Sequence, residues 1–229
     1  MQNTTHTTLT EFMENLAFAN PNQVISTFKD EINVFTVKEL NDRANLLAKG
    51  LLYHGVSKNS SVGLVIAGTT NCLTFALALA KIGAVLIPIS KKWEIRLIKK
   101  ILKEQHIHTI AFYADVFLKT FKQIVPDLAQ TERGYLASKD FPKLKNIVTL
   151  GSVKNRGIFT TRELMLVGSH MDDIEMEDTL ATTKPSDIFI RKVTFGEKDK
   201  AIIEEFSHEE ILQDNFSFPA LQNFLLNSI

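Results

Sequence analysis

Phe35-Thr-Val-Lys-Glu-Leu-Asn-Asp-Arg-Ala-Asn-Leu-Leu-Ala-Lys-Gly-Leu-Leu-Tyr-His-Gly55 carries Thr36 and Glu39 at capping-box spacing, with Leu40, Ala44, Leu47 and Leu51 three and four residues apart. The spacing predicts a helix with one apolar face. Val62-Gly-Leu-Val-Ile-Ala67 follows as an apolar run of strand length, residues 71–82 read as a helix buried on most sides, and Gly83-Ala-Val-Leu-Ile-Pro88 reads as a strand ended by its proline. Further strands are expected at 107–112 and 146–150, and helices near 93–104, 116–124 and 160–167. This alternation implies an α/β fold with a largely parallel sheet flanked by helices.

Outside that block, residues 9–19 read as an amphipathic helix, and 23–28 with 34–35 as a small hairpin around Lys29-Asp-Glu. Thr160 with Glu163 and Ser207 with Glu210 repeat the capping-box spacing. Asp172-Asp-Ile-Glu-Met-Glu-Asp178 reads as a short solvated helix.

The composition bounds the function. The chain has 229 residues, 45% hydrophobic, with 26 basic and 26 acidic side chains. Such a balance gives no electrostatic footprint for nucleic acid or an anionic membrane. Cys72 is the one cysteine, so no internal disulfide forms, which suits a reducing cytoplasm. The apolar stretch 72–89 has spanning length, but Lys81, Gly83 and Pro88 interrupt it, and no membrane span or signal peptide is expected.

The helix with Thr-x-x-Glu-Leu-Asn-x-Arg-Ala-Asn at 36–45 and the strand Gly83-Ala-Val-Leu-Ile-Pro88 resemble the adenylate-forming (AMP-binding) family, in its fatty acyl-CoA synthetase branch. Ile124-Val-Pro-Asp-Leu128, Phe141-Pro-Lys-Leu-Lys-Asn-Ile-Val-Thr-Leu-Gly151 and Arg156-Gly-Ile-Phe-Thr-Thr-Arg-Glu-Leu164 continue the resemblance, which covers nearly the whole chain. It implies residues 1–185 as an acyl-CoA-synthetase-like α/β domain. Residues 186–229 then form a degenerate phosphate-loop hairpin and an apolar carboxy-terminal helix packed on the same domain.

The family's next landmark is T-S-G-T-T-G-x-P-K-G, followed by a short strand and Ser-His at a helix start. Laid on the chain from Thr194, it reaches Ser207-His208 without a gap. Thr194 and Gly196 match and stand as remnant nucleotide-binding positions. Phe195 replaces the serine, Glu197 and Lys198 the threonine pair, Asp199 and Ile203 glycines, Ala201 the proline and Ile202 the lysine. A phosphate cradle needs unhindered backbone N–H groups, hydroxyl donors and a cation. Here Glu197, Asp199, Glu204 and Glu205 bring like charge instead, which Lys198 and Lys200 can offset in part. The alternation of Phe189, Arg191, Val193 and Phe195 with Ile190, Lys192 and Thr194, before Gly196-Glu-Lys-Asp199, reads as a surface hairpin, against residual nucleotide contact.

Other chemistry is thinly signalled. His106 and His108 would face one side of a strand, without a third metal ligand nearby. His170 beside Asp172 and Asp173, and His208 beside Glu209 and Glu210, read as solvated polar groups, so no catalytic residue and no metal is assigned. By resemblance, catalysis would use ATP, magnesium and CoA, with residues from a later part of the family's large domain and from a mobile carboxy-terminal domain. The chain ends before those motifs. A protein without adenylating activity of its own and without a cofactor is therefore expected, an interaction module or relic that contacts a partner or itself through Phe216, Phe218, Leu221, Phe224 and Leu225. The alternatives are a fragment of an ATP-dependent fatty acid–CoA ligase that needs a separately encoded second half, and a non-catalytic acyl- or adenylate-binding protein.

Overall fold

A computed structural model describes residues 7–25, 35–213, 217, 221, 223 and 224. The first half comprises α1 (Leu9–Ala19), β1 (Val24–Ile25), β2 (Phe35–Thr36), α2 (Val37–Tyr53), β3 (Ser61–Val65), α3 (Thr70–Lys81), β4 (Val85–Ile89), α4 (Ile95–Glu104), β5 (Thr109–Phe112) and α5 (Ala114–Ile124). The second comprises β6 (Asn146–Thr149), β7 (Phe159–Thr160), α6 (Thr161–Gly168), α7 (Ile174–Thr182), β8 (Ile188–Phe195), β9 (Ala201–Ser207) and α8 (His208–Leu212). Strands β1 and β2 pair as a two-residue antiparallel hairpin, whose expected tip lies outside the described residues.

One sheet of seven strands runs β7-β6-β5-β3-β4-β8-β9, parallel except for the antiparallel β8–β9 pair. Every residue of β3 and β4 except Ser61 is buried, which requires cover on both faces and explains their unbroken apolar sequence. Crossovers between parallel strands are right-handed, so α3, leading from β3 to β4, and α4 and α5, leading back past β3 to β5 and β6, take opposite faces. One layer holds α1, α2, α3 and α6; the other holds α4 and α5. Helix α3 shows why the 72–89 stretch is so apolar, for only Asn71 in it is not buried.

Strand β4 does not stop at its proline but runs through to Ile89, with Pro88 opposite Leu64 of β3. The Val85 amide donates to the Ser60 carbonyl on the β3 side, so by alternation the position of the missing Pro88 N–H faces β8. There the β4–β8 pairing is confined to Leu86 and Ile190, and no donor is required.

The three expected capping boxes are formed at Thr36/Glu39, Thr160/Glu163 and Ser207/Glu210, and a fourth, Thr8/Glu11, opens α1. Lys81, buried at the end of α3, reaches Glu14 of α1 at 2.9 Å. Burial lowers its ammonium pKa and Glu14 offsets part of that. Helices α2 and α6 touch backbone to backbone: a Cβ added at Gly168 would lie 1.9 Å from the Leu46 carbonyl oxygen, and one at Gly50 2.1 Å from that of Leu164.

No side-chain rotation relieves a clash with backbone. Gly50→Ala and Gly168→Ala are each expected to destabilise the chain by about 3 kcal/mol or more in chemical denaturation. Since either forces the same two helices apart, the double variant should lose clearly less than the sum.

Candidate functional site

Strand β8 lies inside the sheet, between β4 and β9, with Phe189, Ile190 and Val193 buried. The expected surface hairpin is thus only half exposed: Ile190 pairs with Leu86 of β4, and β9 alone forms the edge. Register runs from Phe195 opposite Ala201, through Thr194 opposite Ile202 and Lys192 opposite Glu204, to Arg191 opposite Glu205. Lys192 and Glu204 pair at 3.2 Å, and Arg191 and Glu205 at 2.7 Å.

The turn between the strands is closed on itself. Gly196 N–H donates to the Lys200 carbonyl at 2.9 Å, and Lys200 N–H to that of Glu197 at 3.2 Å. Lys198 and Asp199 take left-handed backbone angles, φ 55° and 57°. Asp199 is anchored to α4, its carbonyl accepting from Lys100 Nζ at 2.7 Å and its carboxylate pairing with Arg96. Trp93 meets Phe195 edge-on at 5.5 Å. Thr194 therefore sits in a ladder and Gly196 in a tight turn. Ala201, Ile202 and Ile203, where the resemblance places proline, lysine and glycine, are strand residues. Two of the turn's amides are used within the turn, and acidic side chains flank it. Residues 194–203 do not fit a polyphosphate group.

His208 proves to be neither exposed nor solvated. It is fully buried at the first position of α8 and stacks on Phe189 with ring centroids 5.3 Å apart. The Leu9 amide donates to its Nδ1 at 3.4 Å, which puts the proton of the neutral ring on Nε2, and that atom has no partner among the described residues. Burial pushes its pKa down to about 4; the carboxylates of Asp187 and Glu11 work against the fall, and Lys58 adds to it. The motif Ser207-His208 signalled the helix start, but only the fold, which brings Leu9 across 199 residues, makes the imidazole a core group.

His106 and His108 do not share a strand face. His106 lies in a left-handed turn with φ 49°, and β5 begins only at Thr109. Both line one cleft with Lys143 and Arg191, an unfavourable field for a metal ion, and His108 Nδ1 is 3.0 Å from Thr109 Oγ1. Among the described residues no three His, Cys, Asp or Glu side chains are grouped to hold a metal. His170 is exposed, with Nδ1 on the Leu166 carbonyl at 2.8 Å, and Cys72 is buried and in no disulfide. No described helix is long and apolar enough to cross a membrane.

Sequence reading passed over the place where the winding of the sheet reverses, between β3 and β5. Open α/β sheets bind ligands at the strand carboxyl ends there. Thr69 after β3 and Tyr113 after β5 meet at 2.7 Å between hydroxyls, and Asn71 Nδ2 donates to the Leu150 carbonyl after β6 at 3.0 Å. The signal was a small or polar residue directly after each apolar run.

The family model for the AMP-binding enzyme matches residues 13–187. The chain belongs to the AMP-binding enzyme family. YngI of Bacillus subtilis (strain 168), which carries the name of an acyl-CoA synthetase, is 21% identical over 195 residues, 83% of this chain and 36% of that protein. Tyrocidine synthase 3 of Brevibacillus parabrevis is 24% identical over 206 residues, 86% of this chain and 3% of that protein. This AMP-binding-family chain thus spans about a third or less of these relatives' length. Among solved structures, the luciferase-like enzyme from the nonluminescent Zophobas morio mealworm matches with TM-score 0.72 and 17% identity, over 93% of this chain and 45% of that one. The N-terminal domain of FACL13 from Mycobacterium tuberculosis gives 0.70 and 14%, over 96% and 55%. At these identities the likeness is one of fold.

The buried imidazole makes the family member acid-sensitive. Between the ordinary histidine value near 6.5 and about 4, the unfolded chain takes up a proton that folded His208 refuses. Stability is therefore full above pH 6.5 and falls as pH drops towards 4, by roughly 3 kcal/mol for this group. His54 and His108 are lowered by burial too and act in the same direction. In urea denaturation across that range, His208→Asn should remove a large part of the slope; an unchanged slope would contradict the assignment.

Proposed function

We propose that this chain is an AMP-binding-family domain that does not adenylate a carboxylic acid by itself and serves as an interaction module. The observation that carries the reading is the β8–β9 hairpin, where the segment that should cradle phosphates is a self-bonded turn followed by strand. Ile202 supplies no cation at the lysine position, and Glu197 and Asp199 bring negative charge that Arg96, Lys198 and Lys200 offset only in part. ATP, magnesium and CoA accordingly play no part for this chain alone. Ile202 also weighs against a ligase fragment completed by a second polypeptide, which would inherit the same defective hairpin. A cytoplasmic location goes with this reading.

Partner contact through the carboxy-terminal tail belongs to the proposal. Leu221 is buried in the chain's own core, and Phe224 packs edge-on against Phe206 at 4.9 Å. Such contact therefore falls first to Phe216, Phe218 and Leu225, which lie outside the described residues.

Thermal unfolding with ATP-magnesium, AMP, a fatty acyl-adenylate analogue and CoA tests the nucleotide side. A ligand at 100 times its dissociation constant stabilises by about 2.7 kcal/mol, a shift of several degrees. No shift is expected with any of the four. A clear shift with the adenylate analogue would overturn the reading of Glu197, Asp199 and Ile202.

A further inference from the structure

Strand β9 ends the sheet, and its outer side has no backbone partner among the described residues. It is only partly protected: it is seven residues long and contains no proline, and beside the charged Glu204 and Glu205 it leaves Ile202 51% and Ile203 48% exposed. The closing bond from Gly196 N–H to the Lys200 carbonyl fixes which groups face outward. Counting in steps of two, Thr194/Ile202 and Lys192/Glu204 are the hydrogen-bonded pairs of the hairpin, so the amides and carbonyls of Ala201, Ile203 and Glu205 point away from β8.

Another strand can therefore join only through those odd-numbered residues, and a second copy of β9 is matched to them in one register. We propose that two copies of this chain pair β9 to β9, antiparallel about a two-fold axis at Ile202, continuing the sheet from one molecule into the other. A two-fold axis perpendicular to the sheet sets like-parity residues opposite each other. With Ile202 facing its own copy, Ala201 meets Ile203 on one face. On the other, Lys200 of each chain meets Glu204 of its mate twice over. Lys200 is exposed and has no ion pair within the chain among the described residues. Sliding by two residues sets Glu204 against Ile202 and Lys200 against Phe206, or Lys200 against Ile202 and Glu204 against Lys198, which the turn holds outside strand geometry at φ 55°; either slide loses both Lys200–Glu204 pairs. Glu205 stays held by Arg191 at 2.7 Å. Glu204, 3.2 Å from Lys192 in its own hairpin, is shared between that lysine and the mate's Lys200, and so selects the register instead of forbidding association.

The pairing deepens the reading of the chain as an interaction module, and it is measured by mass where that reading's nucleotide side is measured by ligand-induced melting, so each can fail alone. Sedimentation equilibrium of the 229-residue chain should give a reversible dimer. Lys200→Glu should weaken it about tenfold or more, since two attractive pairs become repulsive. The triple exchange Lys200→Glu, Glu204→Lys and Lys192→Glu, which also keeps the ion pair across the hairpin, should restore it. Ile202→Cys, at a non-hydrogen-bonded pair, should oxidise to a covalent dimer, whereas Ile203→Cys, two residues from its own copy, should not. A monomer at the highest soluble concentration, a triple exchange as weak as the single one, or equal cross-linking at both cysteines would overturn the proposal.

Discussion

Strands β3 and β4 are parallel and hidden on both faces, and that requirement governs the molecule. A parallel pair cannot be joined by a hairpin, so each return of the chain is a helix, and right-handedness assigns each helix a face. The α2–α6 contact then closes one layer at backbone distance. It leaves no room for a side chain at Gly50 or Gly168. Sheet and layers together hold β8 in the interior, and β8 in turn fixes the hairpin whose chemistry distinguishes this chain.

The hairpin keeps the fold with few of the residues that the family landmark would place there. The strands need apolar residues on β8 and a turn of some kind, and Gly196-Glu-Lys-Asp199 meets both needs. Of what phosphate binding requires in addition, two amides of the turn are spent within it, Ile202 stands at the lysine position, and Lys198 and Lys200 share the turn with Glu197 and Asp199. The family scaffold persists because its core lies elsewhere, in α3, β3 and β4.

Much of the fold was legible in the sequence because its signals are local. Capping boxes, helical spacing and strand-length apolar runs each lie within a few residues, and they located every helix of the sheet layers. The misread positions depend on distant partners. Pro88 is tolerated because of which neighbour faces its missing donor. His106 leaves the strand through a left-handed turn that two histidines in a row of apolar residues do not announce. His208 reads as polar beside two glutamates, yet Phe189 and the start of α1 enclose it. The opening box at Thr8 and Glu11, by contrast, stood in the sequence and was passed over.

The bond from the Leu9 amide to His208 also has a meaning for synthesis. Helix α1 leaves the ribosome before its acceptor, which follows 199 residues later. At about 5–20 residues per second, the Leu9 amide waits roughly 10–40 s for the His208 ring, whereas α2 and α3, which receive most of the apolar face of α1, follow much sooner. The seat of α1 is thus completed last at its first turn, after α2 and α3 have been made to receive the rest of the helix.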